Sequence, residues 1–365
     1  MGNAARITIM GAGTSGLAFA VDCIRRGFAV LVYTHKHHRR TMDAVTKSGH
    51  LTVKGIFEDR VKIDFTTNPR EATEFSNILV MSIRGDAHVD IWPEFQGIDL
   101  RSHIIVFIPG SCYERQIPGN IKFDGIFQAI SNPIGAIPAD KDDAIDIAGK
   151  KACLTVSGTN RRYNRMVETL LGTKVDWAHN EMDIVTQQPS GIFHPPMMIG
   201  NADRILSGQD FLIYDQGLTS DVINMIGEID SVRCNIREAM GYPMIGPVQA
   251  LNKMYGQNYR DIEHFRQQTT VHKRVKAPKS MRHRFLVEDV HSHWVLWYEM
   301  AELLGIDASP LRKGIEKAAE LAGQNFFETG VTLQKLGLGK CSREAFIYMY
   351  GAKKVPEELF LSSRL

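Results

Sequence analysis

The chain has 365 residues, 44% hydrophobic and 23% charged, with a formal net charge of +2. That length supports two domains with separate cores, and the near-neutral balance gives no bulk electrostatic reason to bind nucleic acid or an anionic membrane, so neither partner is expected. Five cysteines at 23, 112, 153, 234 and 341, without a CxxC pair, argue against a disulfide framework or a structural zinc site and for a reducing compartment.

Arg6–Met10 reads as a short buried strand, and Gly11-Ala-Gly-Thr-Ser-Gly16 follows at once. Leu17–Arg26 carries apolar helical spacing and ends at Gly27, a good residue to close a helix. Ala29–Tyr33 is a second buried strand. A GxGxxG run between a strand and a helix, inside a βαβ unit of about 30 residues, points to a dinucleotide site. In it Gly11 allows the tight turn, Gly13 the approach of a pyrophosphate and Gly16 the packing of helix on strand. Thr14 and Ser15 then lie at the helix N-terminus, where anions are favoured. No leader or membrane span is expected: the first apolar run is too short for either, and no run reaches the roughly 20 residues a spanning helix needs. A cytoplasmic protein is expected.

The second strand ends in Tyr33-Thr-His-Lys-His-His-Arg-Arg40, with no acid before Asp43. An NAD-selective site usually places a carboxylate there for the ribose 2′-hydroxyl. Lys36, Arg39 and Arg40 can instead pair with a 2′-phosphate, and Thr34 can donate a hydrogen bond to it. NADP(H) is therefore favoured over NAD(H). Residues 51–53 and 60–65 read as an inserted hairpin. Residues 77–82 read as the next parallel strand, whose following loop holds Arg84, a candidate cofactor contact. Residues 103–107, 125–130, 151–156 and 174–178 can complete the sheet.

After about Met182 the strand-like runs give way to helical spacing over 218–241, 246–256, 259–268, 284–304, 309–324 and 342–351, with 211–214 ambiguous. The expected architecture is an α/β Rossmann-type domain over 1–186 and a mostly helical substrate domain over 187–365. His194, in Ser190-Gly-Ile-Phe-His-Pro-Pro196, is the candidate acid–base, because histidine suits proton transfer near neutral pH. A catalytic imidazole needs a carboxylate partner. Asp289 or Glu288 can supply it, and Asp289 can equally pair with His293 four residues on.

Pro278-Lys-Ser-Met-Arg-His-Arg-Phe-Leu-Val-Glu-Asp-Val290, continuing through 295–305, resembles the opine dehydrogenase family and its octopine synthase-like members. His194-Pro195, Thr329-Gly330 and the opening GAGTSG extend the resemblance over nearly the full chain. It implies a Rossmann domain followed by an all-α substrate domain. It also implies NAD(P)H-dependent condensation of an α-keto acid (pyruvate or 2-oxoglutarate) with the amino group of an amino acid. The family's His–Asp dyad falls on His194 and Asp289, and its motif arginine on Arg284, which would grip a substrate carboxylate with help from Lys279 or Arg282. Ser190 stands where relatives usually carry Asn, and Gln128-Ala-Ile130 where they often carry Glu-Ala-Thr. Ser190 and Gln188 are retained as candidate substrate contacts. The partners implied are small molecules, and the sequence is compatible with a homodimer. Two other readings compete: a ketopantoate reductase-like or hydroxy-acid dehydrogenase, and a dinucleotide sensor without catalysis.

Overall fold

The computed structural model describes residues 4–352. The chain divides into two compact units. The first runs through Glu181 and takes in Met254–Gly256; the second is Met182–Lys253 with the described residues from Gln257 onward.

The strands of the first unit are β1 (Arg6–Met10), β2 (Ala29–Tyr33), β3 (Leu51–Gly55), β4 (Asp59–Val61), β5 (Asp64–Thr66) and β6 (Ile78–Met81), then β7 (Ile104–Phe107), β8 (Gly125–Ala129), β9 (Ile134–Pro138), β10 (Ala144–Lys150), β11 (Cys153–Gly158) and β12 (Lys174–Trp177). Eight of them form one sheet in the order β12-β11-β8-β7-β6-β1-β2-β5. All its pairings are parallel except β11 with β8. The middle strands read ILVM and IIVF and are buried along almost their whole length, as strands covered on both faces must be. Met10, Leu79, Met81, Trp92, Phe95, Ile105 and Phe107 share one core cluster in this unit. The strand order reverses between β1 and β6, and in such sheets the crevice at that reversal takes the ligand.

The hairpin expected at 51–65 is shorter than its sequence suggests. β3 and β4 pair antiparallel, but β5 leaves them and runs parallel to β2. β3 and β4 join β10 and β9 in a separate four-stranded sheet. The β3–β10 pairing is parallel and joins residues some ninety positions apart, such as Val53 with Ile145.

The second unit is helical, with helices at Pro189–Gly200, Ser220–Ala239, Ile262–Gln268, Arg284–Asp289, Val295–Leu304, Ser309–Ala322 and Arg343–Tyr350 among others. Residues Val290–Trp294 form a π-helical turn between two of them. The ambiguous stretch at 211–214 makes a single antiparallel bridge, Leu212 with Lys276. Arg233 and Arg237 on Ser220–Ala239 are fully buried. Arg237 bonds the Asp183 carboxylate at 3.0 Å and Thr186 Oγ1 at 2.8 Å, while Arg233 donates to Thr186 O at 2.7 Å. These charge-assisted bonds anchor the segment leading into the His194 helix. No described helix is long and apolar enough to cross a membrane.

Candidate active site

The His194 helix holds two prolines, Pro195 and Pro196. Proline has no N–H to bond the carbonyl four residues back, which for Pro195 is that of Gly191. The indole N–H of Trp294 takes that place, donating to Gly191 O at 2.7 Å. Trp297 does the same to Val185 O at 3.0 Å. A Cβ on Gly191 would sit 2.8 Å from the Trp297 ring and 3.0 Å from His293 Cβ, so only glycine lets the two segments approach this closely.

That approach joins the predicted dyad. His194 Nδ1 lies 2.8 Å from Asp289 Oδ2, and both side chains are buried. Asp289 also holds His293, whose Nδ1 is 3.0 Å from Oδ1. The two partners left open by the sequence are thus both taken, one on each carboxylate oxygen. Burial alone would push the Asp289 pKa up, but the bonds and charges of His194 and His293 outweigh it and hold the carboxyl well below the usual range. The carboxylate is therefore ionised and accepts, so both histidines donate from Nδ1. On its other side, His194 Nε2 is 2.6 Å from the hydroxyl of Tyr214. Phe285 stacks on the imidazole, ring centroids 3.9 Å apart and planes 17° from parallel. His283 also contacts Phe285, edge-on. Its pKa falls to about 4 through burial, with Arg284 and His194 adding like charge.

Arg284 stands at the first position of its short helix, 60% exposed, and pairs with Glu288 at 3.4 Å. Glu288 is thereby placed as its i,i+4 partner. Lys279 and Arg282, offered as further carboxylate clamps, are engaged elsewhere: Lys279 on Asp210 and Gly208 O, Arg282 on Ala322 O. Gln188 is buried at the N-cap of the His194 helix, and Ser190 is half-buried in its first turn.

In the first unit the glycines behave as their motif demands. Gly11 has φ +124°, and a Cβ there would lie 2.4 Å from Ser82 O. One on Gly16 would lie 2.1 Å from Gly11 O, whereas one on Gly13 would meet nothing within 4 Å. Gly13 caps the helix Thr14–Arg25 without any side-chain hydrogen bond to its first turn. An uncluttered backbone at Gly13, beside uncapped N–H groups, fits a pyrophosphate. Asn132 donates to Ser15 O and Oγ at 2.8 and 3.0 Å, and the buried Lys151 donates to Asn132 O at 2.7 Å. Burial lowers the Lys151 pKa to about 8. Neither residue carried a motif that could have flagged it.

At the end of β2, Thr34 Oγ1 donates to His38 O at 2.8 Å, which closes the turn. Lys36 pairs with Glu94 at 3.1 Å, Arg39 with Asp43 at 3.0 Å and Arg40 with Asp142 at 2.7 Å. All three cations are more than half exposed, so these pairs are weak and exchangeable. Glu94 brings a carboxylate here from a distant part of the sequence. Arg84 is exposed, just before the turn Gly85–Ala87. The buried Gln128, at the end of β8, accepts from Tyr113 N at 3.2 Å and donates to Glu114.

A largely parallel sheet with a glycine cradle and a helical unit with a buried histidine–carboxylate pair fit a nicotinamide-dependent oxidoreductase. The chain is similar to the opine dehydrogenase family, most directly in its helical unit. The family model "NAD/NADP octopine/nopaline dehydrogenase, alpha-helical domain" matches residues 177–322. Vitopine synthase of Allorhizobium ampelinum is 25% identical over 351 residues, covering 92% of this chain and 96% of that protein. Protein ocs of Agrobacterium vitis is 23% identical, covering 94% and 98%. Among solved structures, octopine dehydrogenase with NADH and L-arginine superposes with a TM-score of 0.73 at 17% identity, covering 96% of this chain and 99% of that one. Yersinopine dehydrogenase with NADP+ gives 0.68 at 15% identity, covering 95% and 98%. A ketopantoate reductase from Ralstonia eutropha gives 0.62 at 13%, covering 87% and 98%. The fold is therefore shared with that enzyme class as well.

Proposed function

We propose that this protein is an opine dehydrogenase that condenses an α-keto acid with the amino group of an amino acid and reduces the product, NADPH being preferred. The observation that carries the reading is the buried Asp289–His194 pair, closed at 2.8 Å between residues ninety-five positions apart. Gly11, Gly13, Gly16, Thr14 and Ser15 would hold the dinucleotide, and bound there it supplies the hydride. Asp289 fixes the Nδ1–H tautomer of His194 and stabilises its cation. His194 takes a proton as the amino group becomes nucleophilic and returns it as water departs. Phe285 covers one face of the ring and keeps water off it. Arg284 is the carboxylate clamp, exchanging Glu288 for a substrate, and Gln188 and Ser190 lie in the segment that would meet the amino acid.

The preference for NADPH is supported by Arg39 and Arg40, whose exposed partners a 2′-phosphate can displace. The octopine dehydrogenase structures with NADH, L-arginine, agmatine and pyruvate concern that enzyme; they suggest pyruvate and basic amino acids as the first substrates to try here. Action in the cytoplasm is part of the same reading.

The test is NADPH oxidation with keto and amino acids supplied singly and together. Consumption that requires both, with a secondary-amine dicarboxylate as product, is expected. A hydroxy acid formed from the keto acid alone, unaffected by amino acid, would sink the reading in favour of a hydroxy-acid dehydrogenase.

A further inference from the structure

The ring nitrogen of His194 that faces away from Asp289 meets a residue the dyad does not include. Nδ1 is committed to Asp289. Phe285 lies flat against the ring. Nε2, the remaining nitrogen, faces the Tyr214 hydroxyl at 2.6 Å, shorter than an ordinary N···O contact. A substrate must either push that hydroxyl aside or exchange protons through it. The surroundings favour the second. Tyr214 is buried, and its backbone is tied down by the Leu212–Lys276 bridge and by Ile213 N donating to Val275 O at 3.0 Å. Its ring packs on His272 at 4.5 Å and on Phe265 at 6.2 Å between centroids. A buried ring packed against two other rings is poorly suited to swing away, and a phenol can accept one proton while donating another.

We propose that Tyr214 is a further catalytic residue, the terminal proton carrier of an Asp289–His194–Tyr214 relay. The proposal rests on the condensation reading above. In the forward direction the substrate ammonium gives a proton to the Tyr214 oxygen as the Tyr214 proton moves to Nε2. This leaves a free amine and an imidazolium paired with Asp289. The amine lone pair forms the C–N bond, the carbonyl π pair moves onto oxygen, and that oxygen takes a proton from the added nitrogen to give a carbinolamine. The C–O bond then breaks as the nitrogen lone pair forms C=N. The hydroxyl leaves as water with the Tyr214 proton, and Nε2 refills the phenol. One ammonium and one ketone enter; one iminium and one water leave, and nothing is oxidised or reduced. Because the two transfers at Tyr214 are coupled, the phenol, whose ordinary pKa is about 10, never has to stand as a free phenolate. Among the described residues, the titratable groups facing the relay include Asp289, His293, His283 and Arg284 on one segment and His272 on another.

The experiment compares wild type, Tyr214→Phe and enzyme carrying 3-fluorotyrosine at position 214, which keeps the shape and hydroxyl but makes the phenol more acidic. Steady-state turnover with both substrates and NADPH affinity are measured for each. The expected result is a kcat loss of about 100-fold or more in Tyr214→Phe with NADPH binding unchanged, and a kcat in the fluorinated enzyme displaced from wild type by about threefold or more. Two results would overturn the relay. Near-normal turnover in Tyr214→Phe would mean that the hydroxyl is merely displaced. Loss in Tyr214→Phe with the fluorinated enzyme equal to wild type would mean that the hydroxyl only positions His194. If Tyr214→Phe does not fold, the fluorinated enzyme decides alone. Failure of the condensation reading shows separately, as wild-type turnover indifferent to amino acid.

Discussion

Asp289→Asn is the sharpest probe of the dyad, because it keeps the shape and removes the charge. In the wild type both carboxylate oxygens accept from imidazole, at 2.8 Å from His194 and 3.0 Å from His293. An amide has only one acceptor oxygen, so one histidine must then face an N–H₂ group and either turn or change tautomer. If His293 keeps the oxygen, His194 loses a hydrogen bond to a charged partner worth about 1.5–3 kcal/mol, a rate loss of about 10- to 160-fold. If His194 also takes the wrong tautomer, the loss grows towards about 10⁴, as in triads of the same logic. Turnover at saturating substrates is the assay, with circular dichroism and NADPH binding as folding controls, since breaking a buried pair can cost about 3–5 kcal/mol of stability. A folded Asp289→Asn enzyme with more than half of wild-type kcat would refute the reasoning.

Three further outcomes are expected. Gly13→Ala should fold normally and lose cofactor affinity, while Gly16→Ala should lower the melting temperature as well, since its Cβ would lie 2.1 Å from Gly11 O; calorimetry and NADPH titration separate the two, and equal melting losses would contradict the open space at Gly13. Arg39→Ala with Arg40→Ala should weaken NADPH much more than NADH, and equal weakening of both would remove these arginines from 2′-phosphate recognition. The pKa of His283 is lowered to about 4 in the fold, so its stabilising contribution is complete above the unfolded value of about 6.5 and is lost as pH falls towards the folded one. Allowing for solvent screening at this half-buried site, His283→Gln should flatten the acid limb of stability by roughly 1–2 kcal/mol over that window, which denaturant titrations at several pH values can read.

The sequence carried the site's chemistry better than its surroundings. Gly11, Gly13 and Gly16 were legible because each answers a local backbone demand. His194 and Asp289 were legible through their motifs, although nothing local says that residues ninety-five positions apart will touch. The four-stranded sheet was not legible: β9 and β10 are each interrupted by a glycine, and β3, the parallel partner of β10, lies far back in the chain, so no periodicity marks the pairing. Tyr214 was hidden for the same reason. Its short apolar run, Phe211-Leu-Ile-Tyr214, fits a strand or a helix equally, and its importance comes from Val275 and Lys276 fixing it against His194. Local terms explain Arg284: its pairing with Glu288 is an i,i+4 contact readable from spacing alone. The contacts of Lys279 with Asp210 and of Arg282 with Ala322 O were not legible, because a run of basic residues does not say where each one points.

The indole that repairs the proline gap also gives the site its own optical label. Of four tryptophans in the chain, Trp294 and Trp297 are fully buried beside the dyad, each with its N–H bonded to the backbone that leads into or carries the His194 helix. Their emission should be blue and steady while those bonds hold and should redden as they break. Unlabelled protein can therefore report, by intrinsic fluorescence, whether a substrate or a substitution has disturbed the frame around His194 before any turnover is measured.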